Sequence, residues 1–202
     1  MKIAVILFAY NRPKYLRKAM ASHRFLKGLD YYCFIDYSEK QREILDLVAD
    51  SGIYDKIYLR LERYGLNRNI TEGITEIFKI YDAVIVLEDD LLLSRDAIFW
   101  LKESLHFTDT VSLQESDINY PFRCWGWGMW KSTWEHIDWD LVPKEKNRGS
   151  WDVIVNENFR QKEWTCKYPD KPKVKHIGWS GVHYNYLDLF SVRRLLRKLL
   201  YS

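Results

Sequence analysis

The sequence predicts an α/β protein, a single domain built on a mostly parallel central sheet with helices on its flanks. Three observations carry that prediction. Apolar runs alternate with helix-period patterns through the first half of the chain, the order from which parallel sheets are wound. The fourth run, Ala83 to Leu87, has no polar break, as expected of a strand buried on both faces. A length of 202 residues, 47% hydrophobic, suffices for one well-buried domain but not comfortably for two.

Taken in order, Ile3 to Phe8 is a continuous apolar strand. Pro13 opens a helix, since its fixed φ and missing N–H suit a first helical position, and Leu16, Ala19, Met20 and His23 share one face. Tyr31 to Ile35 is the second strand. Ser38 and Gln41 have the spacing of a capping box, starting a helix with Ile44, Leu45 and Val48 inward. Lys56 to Leu61 is the third strand, and Asn69 with Glu72 caps a helix bearing Ile70, Ile74, Ile77 and Phe78. After the fourth strand a helix runs from Arg95 to Phe107. The second half changes character, with a short strand near Val111, an aromatic segment from Phe122 to Trp139 and a polar stretch from Pro143 to Ser150. No repeat architecture or linker divides the chain.

Composition narrows the function. The net charge of +3 is too small and too evenly spread for a nucleic-acid partner. Cys33, Cys124 and Cys166 are far apart and odd in number, so they offer neither a metal-site spacing nor a disulfide framework, and a reducing, cytoplasmic setting is expected. The apolar start, Met1 to Phe8, is too short for a secretory signal or a membrane span. Nine Trp and fourteen Tyr serve either a thick aromatic core or flat cleft walls that hold a sugar ring or a base. Abundant Lys, Arg, Ile and Tyr with few Gln lean toward a hot habitat.

The strongest chemical signal is Val84-Ile85-Val86-Leu87-Glu88-Asp89-Asp90. Three carboxylates stand where a buried strand ends, and in open α/β sheets ligands bind at that edge. Adjacent like charges repel there, so the cluster calls for a cation. Oxygen ligands suit Mg²⁺ or Mn²⁺, with diphosphate oxygens completing the shell. A solvated turn whose acids cap a helix near Ser94 and Arg95 is the plain alternative.

Leu87-Glu88-Asp89-Asp90-Leu91 resembles the DxD-type motif of GT-A glycosyltransferases, in the E-D-D form of the N-acetylglucosaminyltransferase I group and related bacterial transferases. Phe8-Ala9-Tyr10-Asn11-Arg12-Pro13 resembles that family's first-strand turn, which lies beside the nucleobase. Asp36 stands where the family binds the base, and Tyr64-Gly65-Leu66-Asn67-Arg68-Asn69 resembles the segment facing the donor nucleotide. The resemblance implies a GT-A fold with residues 1–115 as the nucleotide-sugar half and 116–185 as the acceptor half. It implies Asp90 as metal ligand, Glu88 and Asp89 on ribose and donor sugar, and Ala9, Tyr10, Asn11, Arg12, Asp36 and Arg68 at the nucleotide. The first turn carries neither G-x-G-x-x-G nor G-x-x-x-x-G-K-[ST], which excludes a dinucleotide fingerprint and a P-loop. A diphosphate would then be neutralised mainly by a metal ion.

Trp125-Gly126-Trp127-Gly128-Met129-Trp130 alternates large and absent side chains. Gly126 and Gly128 allow close backbone approach to a ligand, and Trp127 can stack on a sugar; an aromatic core strand with glycines at a bulge fits the same pattern. Trp125 to Trp139 resembles a block in bacterial members of the fold that follows the metal motif and contains the glycine loop. Ser150 can cap a helix whose first turn holds Asp152, an acid well placed at a helix N-terminus. Inverting members carry an Asp or Glu at the matching place, so the resemblance makes Asp152 the candidate general base, with Glu157 and Glu163 as weaker alternatives. His176 to His183 resembles the late region where a histidine approaches the metal; His183 is the better match and His176 the reserve.

At the end of the chain, Arg193, Arg194, Arg197 and Lys198 face one side of a helical pattern and Leu189, Val192, Leu195, Leu196, Leu199 and Leu200 the other. Residues 186–202 thus read as an amphipathic basic helix, packed on its own core, on a second copy in a homodimer, or peripherally on an anionic membrane.

These features point to a metal-dependent, inverting glycosyltransferase of hexosyl or N-acetylhexosaminyl type. Its donor is a nucleotide sugar and its acceptor a hydroxyl on a glycan, protein or lipid-linked molecule. A nucleotidyltransferase acting on sugar phosphates shares the sheet and acids but normally needs a glycine-rich loop that Ala9-Tyr10-Asn11-Arg12 lacks. A non-catalytic carbohydrate-binding module would use the Trp-rich surface, and has no reason to place three acids at a buried strand end. The compact size suits a thermophilic archaeon or one of its viruses.

Overall fold

In the computed structural model, which describes residues 1–23, 26–143 and 149–178, the apolar runs of the first half become parallel strands. β1 (Ile3–Ala9) lies between β2 (Asp30–Ile35) and β4 (Ala83–Glu88), and β3 (Lys56–Leu59) extends the sheet beyond β2. Every pairing among these strands is parallel. β1 is buried throughout and β4 up to Glu88, because helices cover both faces.

Those helices are α1 (Pro13–Ser22), α2 (Gln41–Asp50) and α3 (Gly65–Ile77). Leu16, Ala19, Ile44 and Val48 pack with Val5 and Leu7 on one face of the sheet, while Ile70, Ile74 and Ile77 of α3 meet Ala4, Ile6 and Phe8 on the other. Gly73 lets α3 lie close, for a Cβ there would come within 2.7 Å of the Phe8 ring.

Both predicted caps are corrected. α2 begins at Gln41 without a side-chain cap: Ser38 Oγ donates to the Tyr10 carbonyl at 3.1 Å, and Gln41 Nε2 donates to the Arg60 carbonyl at 2.9 Å. These bonds tie the β2 loop to the ends of its neighbours. α3 begins at Gly65, which has φ +74, so Asn69 lies inside the helix, where its Oδ1 accepts from Arg60 Nε at 2.9 Å. The cap comes from Asp36, whose carboxylate accepts the N–H groups of Tyr64 at 2.8 Å and Gly65 at 2.9 Å. An acid there also complements the helix dipole.

The second half folds back antiparallel. β7 (Trp127–Trp130) pairs with β4 and β6 (Thr110–Ser112) with β7, completing a six-stranded sheet of order β3-β2-β1-β4-β7-β6. α4 (Ala97–Leu105), shorter at both ends than predicted, packs on β6 and β7. α5 (Lys131–Glu135) and α6 (Trp151–Gln161) follow. A ribbon of β5 (Leu91–Leu93) and β8 (Val174–His176) escapes the sequence pattern, its strands being too short to show a period. Much of the aromatic excess is core: Trp127 stacks on Trp151 at 5.6 Å and on Trp134 at 6.4 Å, with Phe122 and Phe159 packed in the same cluster. Among the described residues no helix is long and apolar enough to cross a membrane. The tail, 186–202, with its predicted membrane or dimer contact, lies outside the described residues.

Candidate active site

The parallel register brings three chain turns together. Phe8 pairs with Glu88 and Ala9 with Ile35, so the carboxyl ends of β1, β2 and β4 lie side by side. The chain winds outward through β2 and β3 and then returns to β4 on the far side of β1, which makes this edge the switch point where α/β sheets hold ligands. A cleft of about 780 Å³ opens there. Ala9, Tyr10, Asn11, Arg12, Asp36 and the Glu88–Asp90 acids line it from the first half, and Cys124, Trp125, Ser150, Trp151, Asp152, His176 and Gly178 from the second.

Arg12 is the internal cation of the cluster. Its Nη2 lies 2.5 Å from Asp89 Oδ1 and its Nη1 2.7 Å from Asp90 Oδ2. Asp89 Oδ2 accepts the Tyr10 N–H at 3.1 Å, which locks the β1 turn to the β4 turn. His176 Nε2 stands 3.0 Å from Asp90 Oδ2, and its ring stacks on Trp125 at 4.6 Å. The acids separate accordingly. Burial, with Asp90 and Asp89 adding repulsion, pushes Glu88 up to about 8. Burial also raises Asp89, but Arg12 restrains it to about 6. Burial opposes the charge of Asp90 too, yet His176 and Arg12 outweigh it and hold that carboxyl below its usual range. Three acids thus share one edge with a single guanidinium, Arg12, which offsets their mutual repulsion only in part.

Among the described residues no group of three or more His, Cys, Asp or Glu could hold an ion. One buried carboxylate oxygen, Asp90 Oδ1, has no hydrogen-bond partner among them. That donor set fits Mg²⁺ or Mn²⁺ held largely by substrate oxygens, rather than a cage built from protein alone. Gly178 is required beside it, because a Cβ would collide with the Asp90 carboxylate and with Arg12.

Asp152 sits in the first turn of α6, where Ser150 Oγ donates to its Oδ1 and the Cys124 thiol lies 3.9 Å from its Oδ2. Asn67 holds this turn over the cleft: its Oδ1 accepts the Trp151 N–H at 3.2 Å and its Nδ2 donates to the Gly149 carbonyl. The first turn of α3 is thereby stitched to the first turn of α6. Asp152 is near enough for its charge to help raise Glu88.

The structure therefore gathers Ala9, Tyr10, Asn11, Arg12, Asp36, Glu88, Asp89, Asp90 and Asp152 around one cleft, but not every predicted residue. Arg68 lies outside it, paired with Glu72 at 2.7 Å and Glu62 at 3.1 Å on the exposed face of α3. Arg63 lines the cleft instead, its guanidinium 5.4 Å from the centre of the Tyr10 ring. Trp127 is wholly buried and offers no face to a sugar; Trp125 and Trp151 are the tryptophans that line the cleft. Gly126, at φ +66, turns the chain where a Cβ would come within 2.7 Å of Leu113, and Gly128 packs against Leu105 and Val111. Neither glycine faces the cleft. Glu157 is buried against Arg160 at 3.1 Å, and Glu163 is exposed. His183 lies outside the described residues, and the reserve, His176, stands on Asp90. Asn67, Trp125 and Gly178 fall inside segments the resemblance singled out, though without individual roles, while Arg63 and Cys124 carried no site signal and reach the cleft only through long-range packing.

No family model and no curated protein matches the chain. Solved structures do. The mannosyltransferase PcManGT from Pyrobaculum calidifontis, in complex with GDP-Man and Mn²⁺, is similar over 96% of this chain and 60% of its own, with TM-score 0.68 and 11% identity. Residues 1–349 of S. aureus TarS are similar over 97% of this chain and 64% of theirs, with TM-score 0.60 and 11% identity. The 4-diphosphocytidyl-2C-methyl-D-erythritol synthase of Anaerococcus prevotii is similar over 97% and 96%, with TM-score 0.58 and 12% identity. The chain thus spans less than two thirds of the first two proteins and nearly all of the third. The likeness shows the fold, a GT-A-like α/β fold of the kind the family resemblance implies.

Proposed function

We propose that this chain is a glycosyltransferase that moves a sugar from a nucleotide-diphosphate-sugar donor to an acceptor hydroxyl with inversion. The observation that carries the proposal is the shared cleft. The charged acids after β4, with the spare oxygen of Asp90, face the same space as Asp152, which reaches it from the opposite half of the chain.

Each half then has its task. Residues 1–115 take the donor. Tyr10 and Arg63 flank the nucleoside, and Arg12 contacts the diphosphate from its seat on Asp89 and Asp90. Asp90 would hold Mn²⁺ or Mg²⁺, which when bound supplies charge stabilisation to the departing diphosphate worth roughly several kcal/mol. Residues 116–185 take the acceptor. The acceptor oxygen forms the new bond to the anomeric carbon, the bond to the diphosphate oxygen breaks, and the hydroxyl proton passes to Asp152. Ser150 orients that carboxylate, and the stacked Trp125 and His176 wall the site. The similar mannosyltransferase is in complex with GDP-Man and Mn²⁺ and another TarS structure with UDP, which supports a nucleotide-diphosphate donor.

Calorimetry tests the proposal, using UDP, GDP and CDP and their sugars, with and without Mn²⁺, on the wild type and on Asp90→Asn. Binding of at least one diphosphate strengthens with Mn²⁺, and Asp90→Asn removes that gain. An affinity untouched by both metal and substitution overturns the metal assignment, and no nucleotide binding at all overturns the whole proposal. The length match to the synthase favours nucleotidyl transfer as a second reading. Pyrophosphate release from a nucleoside triphosphate and a sugar phosphate would select it.

A further inference from the structure

A second groove, of about 630 Å³, runs along the later turns of α3 between the end of β3 and Trp139, and shares no lining residue with the cleft. α3 carries a tandem here, Ile70-Thr71-Glu72 followed by Ile74-Thr75-Glu76. Both isoleucines are fully buried and fix the helix on the sheet. The two Thr-Glu pairs therefore recur on the groove side one turn apart, about 6 Å along the axis, the scale of a single sugar unit.

The chemistry of the lining is specific. Trp139 and the rim of Tyr58, whose ring is stacked on Phe34 at 4.4 Å and 2° and carries Lys56 Nζ 4.4 Å from its centre, supply aromatic carbon against which C–H groups can pack. Thr71 and Thr75 keep hydroxyl capacity, since Thr71 Oγ1 only donates, to the Asn67 carbonyl, and Thr75 Oγ1 accepts from Trp134 Nε1 at 3.3 Å. Glu72 and Glu76 pair only with exposed cations, contacts worth little that a ligand can replace. Arg60 Nη2 is buried with no hydrogen-bond partner among the described residues, a donor without an acceptor. Two acids, Glu72 and Glu76, balance two bases, Arg60 and Lys79, so the lining has no net charge to draw a polyanion or a polycation.

We propose that this groove binds a neutral oligosaccharide, laid lengthwise along α3 with successive units on the two Thr-Glu pairs. The site acts without nucleotide, and stands or falls separately from the transferase reading.

The test uses the full chain without nucleotide and a set of short neutral oligosaccharides of mannose, glucose and N-acetylglucosamine, read by affinity electrophoresis and tryptophan fluorescence. Glu72→Gln with Glu76→Gln, isosteric changes on the helix surface, weakens binding by about tenfold or more, as loss of charged hydrogen bonds predicts. Tyr58→Ala weakens it as well, while Asp90→Asn leaves it unchanged. Three results overturn the proposal: no oligosaccharide binds, binding is lost with Asp90→Asn but kept in the groove variants, or heparin occupies the groove in preference to every neutral chain. Nucleotide affinity, measured on the same variants, reports on the cleft alone.

Discussion

The two halves of this molecule solve the same problem, polar groups in a buried place, by different means. In the first half, parallel strands satisfy one another's backbones, and the buried polarity at the end of the sheet is ionic: Arg12 between Asp89 and Asp90, with His176 added from outside. In the second half the backbone is irregular, and neutral amides satisfy it. Asn156 both accepts the Phe122 N–H and donates to the Phe122 carbonyl, each at 2.9 Å; Asn158 does the same for Asp138 at 2.8 and 2.9 Å; Gln114 accepts the Trp125 N–H at 2.8 Å. The difference teaches where sensitivity lies. A cluster held by charges responds to ions and pH, and a loop held by amides responds to neither.

The largest effect belongs where the halves meet. In the proposed mechanism, Asp152→Asn keeps the shape of the α6 turn and loses the proton acceptor. Transfer should fall by about 10² to 10⁴, the usual contribution of a general base, with donor affinity within about twofold of wild type. Single-turnover rates alongside calorimetry check both. A rate that falls together with donor affinity would mean that Asp152 serves binding, and the division of labour between halves would fail.

Next comes the ionic half. Arg12→Ala leaves Asp89 and Asp90 buried without their cation, a loss of about 3 to 5 kcal/mol if the pair behaves as a buried one. Denaturant unfolding measures it. Because an ion on Asp90 would replace part of the missing charge, Mn²⁺ should raise the Tm of Arg12→Ala more than that of the wild type. Equal shifts would argue against a cation at this cluster.

The same contrast explains what could be read from the residues. The strands and helices of the first half were legible because burial on both faces leaves uninterrupted apolar runs, and the acids were legible because they end such a run. The caps were not. Asp36 caps a helix that begins at Gly65, far along the chain, and no local spacing encodes that meeting. The early start of α3 likewise carries Arg68 onto the outer face and gives the cleft Arg63. In the second half Trp125 and Trp127 sit two apart, and strand alternation would give them one side. Gly126, with φ +66, turns the chain between them, so one lines the cleft and the other fills the core. Pattern alone has no access to that turn.

A smaller effect, also in the first half, comes from a histidine at the end of α1. Burial holds His23 uncharged and lowers it to about 4, against a weaker opposing contribution from a backbone bond at Leu91. Below its unfolded value of 6.5 the unfolded chain takes up a proton that the folded one refuses. Stability is therefore full above 6.5 and is lost as pH falls toward 4, by about 3 kcal/mol in all. Unfolding at neutral pH and at about pH 4.5 should show this slope in the wild type and a shallower one in His23→Gln. Parallel slopes would remove His23 as a source of the acid sensitivity.

The amide half sets the smallest and most discriminating effect. Asn156→Ala strands the buried N–H and carbonyl of Phe122, at a cost of about 1 to 3 kcal/mol. An amide does not titrate, so this loss should be the same at neutral pH and at about pH 4.5, unlike the loss at His23. It should also reach the cleft, since the Phe122 ring packs edge-on against Trp151 at 5.9 Å, one residue from Asp152. Transfer then weakens with donor affinity kept, because Asn156 holds the acceptor half and touches nothing that binds the nucleotide. If instead the cost grows on acidification, Asn156 is coupled to the charged cluster, and the two halves are stabilised as one network rather than by separate means.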